Sequence, residues 1–372
     1  MASDRGRGRC RERLERLAGS ALDRESVQLE AIGDLRRVIG FDRWCWPLAD
    51  PRTLIPLSGL AEHDYGPNVP RVLELEYSGA DLAAMDVLAR RSTPVGSLVR
   101  ESGGDLARSP RWDEVLRQVG IGDEAVVACR DPFGCWGWIK AYRGQGERPF
   151  DDDDLELLAS AGSSLSSALR RGFTAAAPGI AHEPSAPGVI VLKPDLSVAS
   201  RTAGAGTWIE ALPAAKLFAV WGILPAIVYP VATRARDGGS AAGARALERG
   251  VDGRWVTIEA APLEGDGATG IAITLRAAAP AETFDLLCRA YALTHRERHV
   301  VSALVAGLDT RAVTEQLVIS RHTVQDHLKS VFQKVGVSSR RELLATFSAP
   351  DERRWDAATL PGAASAQHLA IG

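Results

Sequence analysis

The clearest periodic pattern of apolar and polar residues lies in the last quarter of the chain, over residues 293–347. It divides into four short segments with helical spacing, and Gly307 and Gly336 end the first and the third of them. The apolar residues of the third segment follow one another at steps of four, three and four: Val324, Leu328, Val331 and Val335. This spacing predicts one buried stripe along a helix. The whole pattern predicts an all-α four-helix unit.

Residues that favour helix starts precede these segments. Thr294 with Glu297, and Ser339 with Glu342, have the spacing of a capping box. Ser320 precedes the third segment and is a good N-cap. Because the first turn of a helix leaves backbone N–H groups without partners, these residues predict where three of the helices begin.

The polar face of the third helix is a candidate for contact with DNA. Its predicted outward residues are Arg321, His322, Gln325, Asp326, Lys329 and Gln333. Gln, Asp and Lys side chains can hydrogen-bond base edges in the major groove. The residues placed to meet phosphates are Thr323, Lys334, Arg340 and Arg341. Between residues 294 and 349, eight Lys and Arg stand against five Asp and Glu. This surplus is small, so charge alone leaves an ordinary packing unit with a solvated polar face as an open alternative.

A series of short motifs runs through this segment. In chain order they are Leu293-Thr294-His295-Arg296-Glu297, Gly307-Leu308, Leu317-Val318-Ile319-Ser320, Thr323-Val324, His327-Leu328-Lys329, Lys334-Val335-Gly336-Val337 and Ser339-Arg340. Together they resemble the helix-turn-helix domain of LuxR-type bacterial regulators. The resemblance implies a recognition helix in the major groove and a dimer contact through the fourth helix. It places Gln325, Asp326 and Lys329 towards bases, and it places Thr323, His327 and Lys334 at or near the DNA backbone.

Three positions depart from the common pattern of that family. Ala312-Val313-Thr314 stands where Glu-Ile-Ala is common, and Gln325 stands where Lys is common. Asp326 is acidic at a position expected to face DNA. These departures bear on the target sequence of the domain rather than on its fold.

The N-terminal part alternates between strand and helix patterns. Residues 1–19 form a basic tail in this interpretation, although the helical pattern extends from 11 to 39. Predicted strands are 41–48, 53–58, 94–100, 123–130 and 134–143, and predicted helices are 69–77, 82–91, 111–118 and 151–171. Asp151 to Asp154 suit the N-terminus of the last helix better than a cation site. Asp105, after Gly103-Gly104, is expected to cap a helix after a turn. The predicted fold class is α+β.

Several motifs in residues 20–172 carry a second resemblance. They are Phe41-Asp42-Arg43, Leu88-Ala89-Arg90, the run from Gly103 to Arg111, Gly120-Ile121-Gly122-Asp123-Glu124 and Cys135-Trp136-Gly137. This segment resembles a GAF domain, as found in actinobacterial LuxR-type regulators. The resemblance implies a small-molecule sensor, but GAF domains bind unrelated ligands or none.

Two pairs of tryptophans are candidate walls of a ligand pocket in this domain. Trp44 and Trp46 are two residues apart on one predicted strand, as are Trp136 and Trp138, so each pair is expected to share a face. If both pairs face inward, they can line an apolar pocket. The favoured alternative is that they fill the core between sheet and helices.

A third unit is predicted over residues 188–277, after an Ala/Pro/Gly-rich linker at 173–187. Its order is two strands, helices and three strands, and Asp252-Gly253 marks a hairpin turn. With Gly253-Arg254-Trp255, this order resembles a PAS-like domain, without a haem or flavin motif. Residues 278–292 are predicted as a second linker, 293–349 as the helix-turn-helix domain and 350–372 as a loosely ordered tail.

Composition sets the broad class. The 372 residues have a net charge of −3, so two or three ordinary globular domains are expected. No run of ~18 apolar residues is present, and the Arg-rich N-terminus lacks the apolar core of a secretory signal. We therefore predict a cytoplasmic protein. Its five scattered cysteines are expected to be free thiols. For the protein as a whole, we expect no cofactor and no metal.

These patterns favour a one-component transcription regulator that binds promoter DNA as a homodimer. A small-molecule effector and RNA polymerase are further candidate partners, and no membrane partner is expected. Two alternatives remain open: a sensor that acts mainly through other proteins, and a response regulator under a partner kinase. An enzyme is not favoured, because GxSxG, HExxH and GxxxxGK[ST] motifs are absent from the sequence.

Overall fold

The computed structural model describes residues 4–62, 65–174, 186–238, 243–264 and 270–347. The chain forms two compact units. The first comprises Met1–Ala278 with Asp285–Ala292, and the second comprises Ala279–Phe284 with the residues from Leu293 onward. The first unit contains an N-terminal domain and a central domain, each built on one five-stranded sheet.

The N-terminal domain is an antiparallel sheet with helices on both faces. Its strands are β1 (Arg43–Ala49), β2 (Pro56–Ala61), β3 (Val95–Ser97), β4 (Ile121–Asp131) and β5 (Gly134–Gly144), in the spatial order β2-β1-β5-β4-β3. Its helices are α1 (Asp4–Ala18), α2 (Arg24–Ile39), α3 (Val69–Tyr77), α4 (Met85–Arg90), α5 (Leu98–Ser102) and α6 (Asp152–Gly172). Helices α1 and α2 pack with α6, which lies on β4 and β5, and α4 packs on β4. The mixed α/β prediction is confirmed for this part of the chain.

The N-terminal residues differ from the prediction of a basic tail and one helical stretch. Residues 4–18 form α1, and Cys10 and Leu14 of that helix are buried. Asp23 starts a separate helix, because its carboxylate accepts the Ser26 N–H at 2.9 Å. Leu29, which lies within the predicted helical stretch, is 50 % exposed. The prediction of a tail over residues 1–19 is therefore wrong for the described residues.

Local turns in this domain also depart from the prediction. Residues 98–102 form helix α5 instead of continuing a strand, and Gly103 ends that helix in the left-handed region with φ +67°. Asp105 precedes a short 3-10 turn, but its side chain accepts no capping hydrogen bond. Asp151 to Asp154 lie at the start of α6, as predicted, and the structure adds that Asp151 and Asp154 form a capping box there.

A network of five charged side chains is buried in the N-terminal domain. The Arg111 guanidinium lies 2.8 Å from Asp81, 2.6 Å from Glu124 and 3.7 Å from Glu76. The Lys140 ammonium lies 2.9 Å from Glu124 and 3.2 Å from Glu76. All five side chains are at most 4 % exposed. Because buried charges are costly without partners, each member of the network depends on the others.

The central domain repeats the spatial order of strands seen in the N-terminal sheet. Its strands are β6 (Gly188–Leu192), β7 (Val198–Arg201), β8 (Arg245–Arg249), β9 (Trp255–Pro262) and β10 (Ile271–Ala277), in the spatial order β7-β6-β10-β9-β8. Its helices are α7 (Ala205–Ala211), α8 (Ala215–Val220) and α9 (Val228–Arg236). The predicted order of two strands, helices and three strands is confirmed, as is the turn at Asp252-Gly253, where Gly253 has φ +84°.

Of the segments predicted to be linkers or a C-terminal tail, one is helical in the structure, and the others lie mostly or wholly outside the described residues. Most of the linker at 173–187 and the whole tail at 350–372 lie outside the described residues. The linker predicted over 278–292 is largely helical, because Pro280–Ala290 form α10. Leu286 and Cys288 of α10 are buried, which an extended linker would not produce.

The second unit contains the four predicted helices of the C-terminal segment. They are α11 (His295–Val305), α12 (Thr310–Leu317), α13 (Arg321–Val335) and α14 (Arg340–Phe347). Helix α11 packs against the other three, and α12 packs against α13. The predicted all-α four-helix unit is confirmed.

Candidate nucleic-acid interface

The start of α13 is fixed by the turn that precedes it. Val318 ends α12 in the left-handed region with φ 53°, and the Ile319 N–H donates to the Thr314 carbonyl at 3.2 Å. Ser320 then caps α13, because its hydroxyl accepts the Thr323 N–H at 3.1 Å. This cap is the one predicted from the sequence, and it sets the direction in which α13 leaves the turn.

One face of α13 packs on the rest of the four-helix unit. Val324 and Val331 are fully buried, and Leu328 and Val335 are half-buried. The opposite face is exposed along the helix, at Arg321, His322, Gln325, Asp326, Lys329 and Gln333. These are the six residues predicted to point outward. The helix therefore presents a row of hydrogen-bonding side chains on a rigid support.

The exposed row carries charges of both signs. The His322 Nε2 lies 3.7 Å from the Asp326 carboxylate, one helical turn further along. Lys329 and Gln325 are exposed on the same face. A lysine and an amide can both hydrogen-bond base edges, whereas a carboxylate repels phosphates and accepts from the amino group of cytosine. The mixture suits contact with particular bases better than general attraction to DNA.

The carboxylate of Glu297 joins α11 to α13. It accepts hydrogen bonds from the Thr294 N–H at 2.7 Å, from Ser330 Oγ at 2.6 Å and from Lys334 Nζ at 2.7 Å. Burial raises the pKa of Glu297, but the bonds from Lys334, Ser330 and Thr294 outweigh it and lower the pKa to about 2. Glu297 was predicted as a capping residue, and the structure adds its link to α13.

This link gives Lys334 a contact that the sequence did not predict. Its ammonium faces the buried Glu297 carboxylate, while the lysine side chain is 31 % exposed. Lys334 therefore helps to position α13, and its contact with a phosphate stays a prediction. The sequence missed this pairing because Glu297 and Lys334 lie on different helices. The capping-box spacing around Glu297 pointed to the Thr294 contact alone.

The remaining predicted phosphate contacts lie on α13 and α14. Thr323 and His327 are half-buried, and Arg341 is exposed. The Arg340 Nη2 donates to the Leu308 carbonyl at 2.6 Å, so it also fixes the turn after α11. Since a guanidinium has five N–H donors, this bond leaves Arg340 further donors.

The fourth helix begins with local capping contacts and packs through its apolar residues. Ser339 Oγ accepts the Glu342 N–H at 3.2 Å, while the Glu342 carboxylate accepts the Ser338 N–H at 2.8 Å. The Ser339 half of the predicted capping box is therefore present, and the Glu342 carboxylate also accepts from the preceding residue, Ser338. Phe347 is buried, and its ring lies 5.6 Å from that of Phe284.

The four tryptophans of the candidate pocket lie in the core of the N-terminal domain. Trp44 is 6 % exposed, and Trp46, Trp136 and Trp138 are fully buried. Trp44 and Trp46 on β1 belong to one cluster of buried apolar residues, together with Trp136. Trp138 belongs to a different cluster. Three of the four thus lie in the same buried cluster, and the fourth lies in another.

The prediction that Trp136 and Trp138 share a face is wrong. The pairing of β5 with β4 shifts by one residue next to Trp136, and such a bulge reverses which face the following residues point to. The Trp136 ring lies 5.3 Å from the Phe173 ring. The Trp138 Nε1 instead donates to the Met85 carbonyl at 3.1 Å.

Among the described residues, no group of three or more His, Cys, Asp and Glu side chains is arranged to hold a metal ion. The five cysteines are free thiols, as predicted. Among the described helices, none combines the length and the apolarity that crossing a lipid bilayer requires.

The capped turn between α12 and α13, with α11 behind them and α13 exposed, defines a helix-turn-helix domain. Residues 291–347 match the model of the family described as "Bacterial regulatory proteins, luxR family". The chain is 40% identical over 50 residues to "Spore germination protein GerE" of Bacillus subtilis (strain 168), covering 13% of this chain and 68% of that protein. The chain belongs to the luxR family of bacterial regulatory proteins.

Two longer relatives match the same part of the chain. A "Putative HTH-type transcriptional regulator in exeN 3'region" of Aeromonas salmonicida is 44% identical over 55 residues, or 15% of this chain and 28% of that protein. The "Probable transcriptional regulatory protein SgaR" of Hyphomicrobium methylovorum is 42% identical over 53 residues, or 14% of this chain and 25% of that protein. The similarity to both thus spans only about a quarter of their length.

Proposed function

We propose that this chain is a sequence-specific DNA-binding transcriptional regulator whose α13 enters the major groove. The observation that carries the proposal is the exposed polar row of α13, held outward by the buried Val324 and Val331. Membership of the luxR family and the names of two relatives, both described as transcriptional regulators, support it. Gln325, Asp326 and Lys329 contact bases in this proposal, and Thr323, His327, Lys334 and Arg340 contact or approach the phosphates.

We propose that the protein binds its site as a homodimer through α14. Two recognition helices then fit half-sites about one DNA turn, or ~34 Å, apart. The exposed residues Glu342 and Ala345 lie on α14 next to buried Leu343, so part of this short helix remains accessible to a partner. Two-fold symmetry of the bound sequence is the direct expectation of such a dimer.

The two domains of the first unit serve as sensors in this proposal. Both sheets have the same spatial order of strands, and this repetition supports GAF-like and PAS-like domains over residues 20–172 and 188–277. An effector alters DNA binding only if it binds the active and inactive arrangements with different affinity. RNA polymerase is a further partner in this proposal.

The salt dependence of DNA binding tests this function. Fluorescence anisotropy of a labelled duplex, titrated with full-length protein, is expected to give a log–log slope of about −0.9 per phosphate neutralised. Lys329→Ala is expected to weaken binding to the specific site by ~1–3 kcal/mol if Lys329 contacts a base. The exposed Lys216 in α8 provides the control, since Lys216→Ala removes the same charge elsewhere. A flat salt response would refute the proposal and favour a sensor that acts through other proteins.

A further inference from the structure

A cavity of about 370 Å³ lies between the N-terminal and central domains, inside the first unit. Helix α2, strand β2 and the end of α6 form one side, and β8 and β9 form the other. The lining residues that matter most are Arg24, Gln28, Phe173, Glu248, Arg249 and Trp255. The volume falls within the range of small-molecule sites in proteins, and none of the four tryptophans predicted to line a pocket is among its lining residues.

Arg24 brings hydrogen-bond donors to this cavity without acceptors to match. Its guanidinium lies over the Phe173 ring, 5.9 Å from the centroid. Within the described residues, no hydrogen bond or ion pair reaches that guanidinium. Gly172 makes room for it, because a Cβ on Gly172 would lie 2.7 Å from Arg24 Cδ. An arginine remains charged and favours bidentate contact with carboxylates and phosphates, so an anion is the natural partner.

Two aromatic rings give the cavity a flat apolar wall. The rings of Phe173 and Trp255 are stacked, with centroids 6.4 Å apart and planes 10° from parallel. The Arg249 guanidinium lies 5.7 Å from the centre of the Trp255 ring. Each ring is therefore fixed by a neighbour on the protein. Such a wall favours a flat apolar body, which loses little conformational freedom on binding.

Glu248 supplies the acidic group at the cavity. Its carboxylate accepts the Ser58 N–H at 2.7 Å and the Arg249 N–H at 3.2 Å, and the residue is 4 % exposed. Burial raises the pKa of Glu248 to about 7. The charged residues around the cavity are Arg24, Glu25, Glu248 and Arg249. Near neutral pH, protonation of Glu248 removes the negative charge nearest to an incoming anion.

From these contacts we infer that the cavity binds a small organic anion, a carboxylate or a phosphate ester. Arg24 holds its charged group, and its flat apolar body lies against the stacked rings of Phe173 and Trp255. Because both domains contribute walls, the bound anion stabilises their arrangement by mass action. Binding itself does not depend on DNA. Use of the site as a regulatory signal rests on the proposed function.

Isothermal titration calorimetry of the full-length protein, without DNA, tests the inference. The probes are 1-naphthoate, 1-naphthyl phosphate and the neutral 1-naphthamide. We expect at least one anion to saturate a single site and to bind about tenfold more tightly than the amide. The preferred anion then separates carboxylate from phosphate ligands. Arg24→Met is expected to weaken the anion by about tenfold. Arg9→Met, which changes an exposed arginine of α1, is expected to leave the affinity unchanged.

Three results would overturn the inference: no saturable binding of either anion, equal affinity for the amide, or full affinity in Arg24→Met. Circular dichroism melting checks that each variant folds. If Arg24→Met does not fold, Arg24→Lys takes its place, and it is expected to keep the charge but lose the two-pronged contact. As Glu248 ionises between about pH 6 and about pH 8, anion binding to the wild type is expected to weaken. Glu248→Gln is expected to abolish this weakening. A DNA titration run separately distinguishes failure of this site from failure of the proposed function.

Discussion

Replacing Glu297 by glutamine tests whether the link from α11 to α13 holds the recognition helix in place. The glutamine keeps the size of the side chain but removes its charge, so the ion pair with Lys334 at 2.7 Å is lost. The contacts from Thr294 and Ser330 remain sterically possible. Hydrogen bonds to charged groups contribute ~1.5–3 kcal/mol. We therefore expect Glu297→Gln to lower the stability of the four-helix unit by about that amount.

The lowered pKa of Glu297 gives a second value for this loss of stability, and it also gives the pH range in which the loss depends on pH. The pKa falls from 4.5 to about 2 on folding, which at about 1.36 kcal/mol per pH unit corresponds to ~3 kcal/mol as an upper value. A carboxyl group with a lowered folded pKa contributes stability above its unfolded pKa. This stability is lost as the pH falls from about 4.5 to about 2. The difference between wild type and Glu297→Gln should thus shrink by roughly half or more between about pH 6 and about pH 3.

Hydrogen-exchange mass spectrometry on the full-length protein measures this effect. Peptides from α11 and α13 report the local free energy of opening, after correction for intrinsic exchange at each pH. Glu315→Gln is the matched control, because Glu315 forms an exposed pair with Arg311 at 3.0 Å, expected to contribute only about 0.3–0.5 kcal/mol. Equal protection in wild type and Glu297→Gln, or a difference that does not change with pH, would refute the reasoning.

Three further predictions concern the charged groups of the two units. Arg111→Met should destabilise the N-terminal domain by ~3–5 kcal/mol, because it leaves buried carboxylates without their partner; an unchanged urea midpoint by tryptophan fluorescence would contradict this. Lys334→Met should lower the protection of α13, and because Lys334 is also predicted to meet a phosphate, it should make the log–log salt slope of DNA binding shallower by about 0.9; an unchanged slope would show that Lys334 only positions α13. Asp326→Asn should strengthen binding to a non-specific duplex by about twofold, since it removes a charge that repels phosphates. An affinity equal to or lower than that of the wild type, measured by anisotropy, would show that Asp326 does not face DNA.

The helix-turn-helix domain was predictable because its signals are local. Thr294, Ser320 and Gly336 each cap or end a helix through contacts within a few residues. The burial of Val324 and Val331 follows from helical spacing alone. Since the packed face fixes the opposite one, the exposed row of α13 was predictable as well.

Features that depend on distant residues or on a break in periodicity were not predictable. The pairing of Lys334 with Glu297 requires the packing of α13 on α11. The separation of Trp136 from Trp138 arises from one shifted residue in the pairing of β5 with β4. The cavity that brings Arg24 and Glu248 together needs both sheets in place, and no motif joins residues so far apart in sequence.

The central claim is that the exposed row of α13 recognises a particular DNA sequence. Sequencing of genomic fragments captured by the purified full-length protein, alongside Lys329→Ala, tests it most directly. We predict an enriched site with two-fold symmetry and half-sites about one DNA turn apart, and loss of that enrichment in Lys329→Ala. No enriched sequence, or the same enrichment in both proteins, would contradict the claim.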